Sequence, residues 1–467
     1  MSSLRCASPA EAQALKRLCC RSDSLEGSED QFVHRYAALV LLPLTSFGLH
    51  AQKTERHFDY GFEERVRNEN WNNIFDYNDS TDDERRQVRY RTRLWMTTSL
   101  TSDIDLSIGV ASESNQILQP RTATHFDEAI FETAYVDIKR LFVKGLSLRV
   151  GRQNLIRGEG FLLLEGDPWD GSRSIYQNAA VLGYQRGKSK VELIGIFNPR
   201  SDRFLPCFNC KSRQLVEWNE SALGAYYTDN HLKPTSIEAY FFYKREFGDR
   251  RPATNPQFQA DRYTYTAGGR AVHKLPRSFS LTGEFAGQWG HQRPGFDIRA
   301  WGGYSYLKRT YGPQQRHSAS FGYWAMSGSD PSKPGVIGNW DPLFSRWPKW
   351  SEGYIYTQFK EIGVGYWTNA GMWQAETVYA PWKPLSLRGT LYQMHAFHPF
   401  QGNPQLYANG SGRGLEYQFR ADLIVNKNWR GHALWEHHLP GSFYSGKDPG
   451  FFFRLEVAYQ FTGRLAF

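Results

Sequence analysis

Along most of this chain apolar and polar side chains alternate one for one, and the closing stretch FFFRLEVAYQFTGRLAF shows it most clearly. One set of alternate positions there is Phe451, Phe453, Leu455, Val457, Tyr459, Phe461, Gly463, Leu465 and Phe467. The other is Phe452, Arg454, Glu456, Ala458, Gln460, Thr462, Arg464 and Ala466. Successive side chains of a strand point to opposite faces, so one face is greasy and aromatic while the other carries the charge. Residues 55–70 repeat the pattern, with Phe58, Tyr60, Phe62 and Val66 opposite Asp59, Glu63, Arg65 and Arg67. In QVRYRTRLWMTTSL the apolar face is Val88, Tyr90, Thr92, Leu94 and Met96, and Arg89, Arg91 and Arg93 line up on the other. Three arginines in a row are costly in a dry core unless paired, and tolerable beside a wet lumen with carboxylates across it. The pattern predicts an all-β fold: a transmembrane antiparallel β-barrel with lipid outside and water inside, in preference to a soluble sandwich.

The connections alternate in length. Short ones are expected at Thr101 to Asp103, Arg140 to Lys144, Gly187 to Ser189, Asp229 to Lys233, Lys274 to Arg277, Tyr311 to Pro313, Pro381 to Pro384 and Asn426 to Asn428. Long ones are expected at 71–84, 115–128, 157–174, 199–216, 248–260, 328–370, 398–412 and 439–449. Short periplasmic turns facing long extracellular loops are the habit of bacterial outer-membrane barrels. Taking 328–370 as one loop keeps the strand number even, at about 18.

Composition supports the barrel. The chain has 467 residues, 40% of them hydrophobic, and its mean hydropathy of −0.59 is too polar for a bundle of membrane helices. After residue 51 it holds no apolar run of the roughly 20 residues that a spanning helix needs. A barrel needs none, because only every second residue meets lipid. Aromatic residues reach 15%, with 15 Trp and 26 Tyr, as rings at two membrane interfaces require. The run YAALVLLPLTSFGL, followed by His50 and Ala51, reads as a secretory signal cleaved after Ala51. The residues ahead of it hold Cys6, Cys19 and Cys20 and resemble no export sequence, which points to an over-extended gene start with translation beginning near Val33. Residues 1–51 are therefore expected to be removed, and 52–467 to form the barrel. The removed part carries five basic and five acidic residues, so the mature chain keeps the whole excess of nine, with 51 basic and 42 acidic residues. Cys207 and Cys210 remain, and a loop-stapling disulfide formed in an oxidising compartment is expected rather than a redox or zinc motif.

Two loops stand out. Residues 328–370 hold Trp340, Trp347 and Trp350 among prolines and glycines, so they suit either stacking on sugar rings or self-packing at the barrel mouth. The segment GRQNLIRGEGFLLLEGDPWDGSRSIYQ follows the strand GLSLRV. Its Gly151-Arg152-Gln153, Gly158-Glu159-Gly160 and Trp169, with the preceding Ala134-Tyr135-Val136-Asp137 and the arginine-alternating second strand, resemble the alginate export family of outer-membrane barrels. The resemblance implies a barrel of this strand number that passes an anionic polysaccharide through a basic, loop-gated lumen. It also places Arg152 at the constriction, although strict alternation from Leu146, Leu148 and Val150 turns that side chain outward; a bulge at Gly151 would turn it in. The chain departs from the family pattern at Ser174-Ile175-Tyr176-Gln177-Asn178, where an aspartate usually follows the aromatic residue.

By parity the candidate pore-lining residues are Arg65, Arg67, Arg89, Arg91, Arg93, Arg149, Arg388, Arg420 and Arg454, joined by Arg152, with Glu63, Glu416, Asp422 and Glu456 among them. They suit a polyanion that must be compensated without being held fast, or equally a ladder of ion pairs that keeps a wide barrel open. Catalysis is not expected. His317 and Ser318 are adjacent and point to opposite faces, and His432 and His438 lack an evident nucleophile or metal-ligand set. No cofactor, metal or nucleic-acid partner is expected, since the basic residues are interspersed with acids. The expected partners are outer-membrane lipid, an anionic polysaccharide or small anionic solute, and a periplasmic export scaffold, in the outer membrane of a Gram-negative-type cell. A porin for small solutes is the alternative, ahead of a structural barrel or a barrel-embedded lipid hydrolase. The face assignment further predicts that Val457→Arg damages folding in lipid far more than Ala458→Arg, and the arginine ladder predicts that neutralising Arg89, Arg91 and Arg93 shifts ion preference toward cations.

Overall fold

The alternating segments form one sheet that closes on itself. The computed structural model describes residues 56–74, 76–120, 125–164, 176–200, 202–208, 219–247, 261–345, 361–362 and 366–466. The strands are β1 (His57–Asn72), β2 (Arg85–Ser99), β3 (Ile104–Gln119), β4 (His125–Ile138), β5 (Leu146–Gln153), β6 (Gln177–Arg186), β7 (Ser189–Asn198), β8 (Cys207–Phe208), β9 (Asn219–Asp229) and β10 (Thr235–Phe247). They continue as β11 (Arg262–Leu275), β12 (Phe279–Gln292), β13 (Phe296–Tyr311), β14 (His317–Met326), β15 (Val336–Ile337), β16 (Ala370–Trp382), β17 (Leu385–His395), β18 (Gly412–Ile424), β19 (Trp429–Pro440) and β20 (Gly450–Ala466). Each long strand pairs antiparallel with its neighbours, and β1 pairs with β20 from His57↔Ala466 to Asn72↔Phe451. The result is a closed 18-strand wall, with β8 and β15 as two-residue additions from loops. Closure leaves no edge whose N–H and C=O groups would face hydrocarbon unpaired.

The two faces follow the alternation. On β20 Arg454, Glu456 and Ala458 are buried, while Leu455 and Val457 between them are 50% and 47% exposed. Phe285, Phe321, Trp373 and Phe419 stand out from the wall in the same way. Ala458 departs from expectation. It is fully covered, and its register partners are Arg65 and Arg430, so an arginine there would meet two like charges in a space already filled. Ala458→Arg is therefore no mild control for Val457→Arg.

The short turns fall where expected, at one end of the barrel, and the long connections lie at the other, with two exceptions: the one expected at 115–128 shortens to 120–124, because β3 runs on to Gln119 and β4 starts at His125. Between β12 and β13 only Arg293, Pro294 and Gly295 intervene at the long-loop end. The length alternation misses this turn because a neighbour covers it: β15, from the loop after β14, pairs in parallel with the start of β13 through Asp297↔Val336 and Ile298↔Ile337. The wall strand expected to resume near 370 does so at Ala370.

The loops do not simply crown the barrel. Leu155, Phe161, Leu162 and Leu163 from the loop after β5, with Trp340, Leu343 and Phe344 from the loop after β14, pack on the inward Tyr226, Tyr240, Tyr304 and Trp324. The Phe344 amide donates to the Leu162 carbonyl at 3.0 Å, which joins the two loops. A second cluster joins Trp71, Ile74, Tyr77, Tyr407, Phe443, Tyr444 and Phe452. Burying such rings on the inner wall removes apolar loop surface from water, which favours the folded-in arrangement over mobile loops.

Candidate functional site

The inner faces of β1, β2 and β18–β20 carry arginines and carboxylates in interlocking rows. Arg67 and Arg65 both reach Glu456, the latter at 3.8 Å. Glu69 accepts from Arg89 at 3.2 Å and from Arg454 at 2.9 Å. Glu63 accepts from Arg91 at 2.7 Å and from Arg430. Arg93 pairs with Glu132 of β4, and Arg420 with Asp422 at 2.8 Å. These eight arginines share five carboxylates, and Glu416 and Glu436 are buried on the same inner faces, so eight arginines stand against seven carboxylates and the sector keeps a small positive excess although its members are ion-paired.

The members differ in exposure, and this separates scaffold from surface. Arg67, Arg91 and Arg454 are almost fully covered, whereas the Arg420 and Arg430 side chains keep 21% and 39% of their surface and line an open cavity with Arg65 and His432. Glu69→Gln should strand the Arg89 and Arg454 guanidiniums with weaker partners and lower the unfolding free energy by about 3–5 kcal/mol. Urea titration of the folded barrel in detergent measures this, and an unchanged midpoint would show that the pairs do not hold the wall.

The other expected residues are placed as follows. Arg149 pairs with Asp137 and lies over the Tyr135 ring at 4.8 Å. Arg388 is half-open, 4.0 Å from Glu376. Glu416 is buried and accepts from Gln418. Arg152 is 2% exposed, held by both oxygens of Asp202 at 2.8 and 2.6 Å, by Asn178 and by the Phe131 carbonyl, with the Tyr176 ring 3.9 Å away. No bulge turns it: the register of β5 runs uninterrupted through Gly151 against both neighbours. Gly151 instead takes φ 128°, and a Cβ there would stand 2.2 Å from the Ala134 carbonyl, so glycine is required. Asp202, from the loop after β7, covers the arginine because β5 is too short to flank the upper part of β4, where β8 pairs instead.

Trp340 is 1% exposed, stacked on Phe161 at 5.1 Å, and a Cβ at Gly302 would come within 2.8 Å of its ring. Phe161 and Gly302 thus help cover the ring, which is self-packed in this structure. Trp347, Trp350 and Trp169 lie outside the described residues, as do the amino-terminal segment and Cys210. Cys207 is disulfide-bonded. His317 stacks on Tyr379 at 4.9 Å on the outer face while Ser318 is buried on the inner one, so the two do not meet.

Several inward charges are absent from the expected set. Arg270 joins Glu238 at 2.8 Å and Glu159 of the inward loop at 3.3 Å. Lys244 and Arg262 hold Asp341 at 3.5 and 3.0 Å, which ties the loop after β14 to the wall. Arg413 grips Glu361 and the Asn369 carbonyl of the same loop. Burial holds the Glu361 carboxyl above the usual carboxylate range against the pull of Arg413. Arg262 and Arg270 alternate with Tyr263 and Tyr265 and were legible from the sequence, as was Glu69. Arg157, Asp202, Asp341 and Glu361 sit in loops, where no period exists to read.

Residues 56–450 match the family model described as alginate export. No curated protein sequence matches the chain. Among solved structures, Pseudomonas aeruginosa OccK2 (OpdF) is similar with TM-score 0.56 at 11% identity, covering 87% of this chain and 98% of that one. Another crystal structure of OccK2, in complex with glucuronate, gives TM-score 0.55 at 10% identity over 87% and 98%. The P. aeruginosa outer-membrane protein OpdK gives 0.55 at 12% identity over 87% and 99%. At such identities these likenesses concern the fold.

Proposed function

The chain belongs to the alginate export family, and from that premise we propose that it passes anionic saccharides, as polymers or as small uronate-like solutes, through a basic lumen narrowed by its inward loops. It is an outer-membrane channel protein; the solute class is the further step. The observation that carries it is the arginine excess of the β1, β2 and β18–β20 sector, with Arg420 and Arg430 open to the cavity. A lumen must offset the hydration a carboxylate loses without trapping it, and interspersed Glu63, Asp422 and Glu456 serve that second need. The loops after β5 and β14 supply the narrowing, and movement of their joined hydrophobic cluster is the gating element of this reading.

The glucuronate in the OccK2 structure keeps a small acidic solute in view beside a polymer. One measurement separates them. In planar bilayers under a salt gradient the reversal potential should show anion preference, and oligouronates should interrupt the current for times that lengthen with chain length. Block independent of length leaves a small-solute porin, and absence of anion preference removes the reading. A periplasmic scaffold is a partner only of the polymer exporter. The mature protein should start at or near Gln52; amino-terminal sequencing of outer-membrane material that finds Met1 retained would overturn that processing step.

A further inference from the structure

On the outer face, the long-loop ends of β10–β13 carry cations directly above a continuous patch of aromatic rings. Alternation turns Lys244, Glu246, Arg262 and Gln288 inward, where they are buried, and leaves their chain neighbours outside. Register then sets two outward rows. The upper row is Arg245, Tyr263, His291 and Asp297, and the lower is Tyr243, Tyr265, Trp289 and Arg299. The rings interlock: Tyr265 lies 5.2 Å from Tyr243 and stacks on Trp289 at 5.9 Å. Tyr263 meets Tyr265 edge-on at 5.8 Å and so joins the two rows. Arg293 sits at the same rim, because the β12–β13 turn that carries it is too short to overhang.

Position along the strands puts these cations at headgroup level. Phe279, with the Arg309 guanidinium over its ring at 5.2 Å, begins β12 at the short-turn end, and Trp289 follows ten residues later on the same face. A strand tilted about 40° climbs roughly 2.5 Å per residue, so the two rings stand about 25 Å apart across the membrane, the height of the apolar band. Arg245 and Arg299 therefore lie at or above the upper aromatic girdle, outside the hydrocarbon. Arg245 is exposed, lies over the Phe247 ring at 5.2 Å, and has no carboxylate partner among the described residues. The Arg293 and Arg299 side chains keep 77% and 74% of their surface and face Asp261 and Asp297 at 3.6 and 3.7 Å. His291 also faces Asp297, at 3.5 Å. Exposed pairs at such distances hold weakly and give way to a stronger acceptor. Lys333 and Asp330 of the loop after β14 offset each other at 3.3 Å. Three arginines against two aspartates leave the rim cationic.

We propose that this rim docks a phosphate-bearing lipid headgroup of the leaflet at the long-loop end, with the acyl chains running down over Tyr265, Trp289 and Trp301. A planar guanidinium forms two parallel hydrogen bonds to a phosphate, stronger than the loose exposed pairs they replace. Each cation fixed beside an anionic membrane surface adds to the attraction. The occupant is a lipid rather than a free anion, because the charges crown an apolar aromatic wall that acyl chains cover. The site lies outside the lumen and does not depend on the transported solute.

The test uses the folded mature barrel in detergent, with native mass spectrometry counting bound lipid A, a disaccharide lipid that carries phosphates. Wild type should retain lipid A in preference to its enzymatically dephosphorylated form. The double substitution Arg245→Gln/Arg299→Gln changes exposed side chains only, and should raise the lipid A dissociation constant at least about tenfold. Arg309→Gln removes an outward cation from the other end of β13 and should leave that constant unchanged. Both variants should keep the wild-type urea midpoint. Equal retention of the dephosphorylated lipid by wild type overturns the proposal without recourse to any variant. Undiminished binding in the double variant, or equal loss in Arg309→Gln, overturns it as well. Displacement of lipid A by inorganic phosphate at a concentration equal to the lipid would leave a simple anion site and remove the lipid as its occupant.

Discussion

Replacing Arg420 and Arg430 together with glutamine should move the channel markedly away from anions while leaving it folded. Both side chains line the cavity bounded by Arg65, Asp422 and His432, and both are partly open to solvent. Removing Arg430 leaves Glu63 with Arg91 at 2.7 Å, so no buried carboxylate is abandoned. A unit charge about 8 Å from an ion's path at an effective dielectric of about 40 is worth about 1 kcal/mol, or about a fivefold change in partition. At physiological salt the Debye length is also about 8 Å, so each charge is felt across its own part of the lumen and attenuated beyond it. The anion-to-cation permeability ratio should fall at least about fivefold, read as a shift of reversal potential in a salt gradient. Neutralising Arg89, Arg91 and Arg93 is the poorer experiment, because Arg91 is sealed against Glu63 and Arg89 against Glu69, so lost selectivity and lost folding would be confounded. If the Arg420/Arg430 variant keeps wild-type selectivity, these charges are structural and the anion reading loses its carrier.

The second large effect concerns the wall. Phe321→Arg should impair folding into lipid vesicles severely, while Ser320→Arg, one residue earlier, should be tolerated. Phe321 is 57% exposed on the outer face, stacked on Trp373 at 5.4 Å. Ser320 is half-buried and faces the open cavity lined by Glu159, Glu376 and Gln374 along with Lys308 and Arg388; its register partners are Glu376 and Lys308, so an arginine there finds water and carboxylates that offset the like charges, which the fully covered Ala458 site lacks. Arginine on the lipid face near the midplane of such a barrel costs about 2–4 kcal/mol, whereas lumen substitutions mainly tune selectivity. The pair sits at one depth on one strand, which the Val457 and Ala458 pair also does but with Ala458 wedged between Arg65 and Arg430. Equal damage from both substitutions would refute the assignment of faces.

The wall was legible in the sequence because a strand reports its two environments at every step. Arg454, Glu456, Arg65 and Arg67 fall inward, and Leu455, Val457 and Val66 outward, by period alone. The short turns were legible because each must reverse the chain within a few residues. Loop length, by contrast, failed twice: at 115–128, where β3 and β4 run on into the expected loop, and at Arg293 to Gly295, where β15 from a distant loop covers the junction.

What the chain order could not reveal is which charges meet. Glu69 holds Arg89 and Arg454, and Arg152 meets Asp202, through contacts between segments far apart in sequence. Trp340 suits a sugar platform or self-packing equally until Phe161 and Gly302 are found covering it. Alternation is a local steric property of the extended backbone, so the residues themselves determined the barrel and its inner face. Pairing and loop burial depend on closure of the sheet, which brings β1 beside β20 and folds two loops inward, and only the tertiary structure decided them.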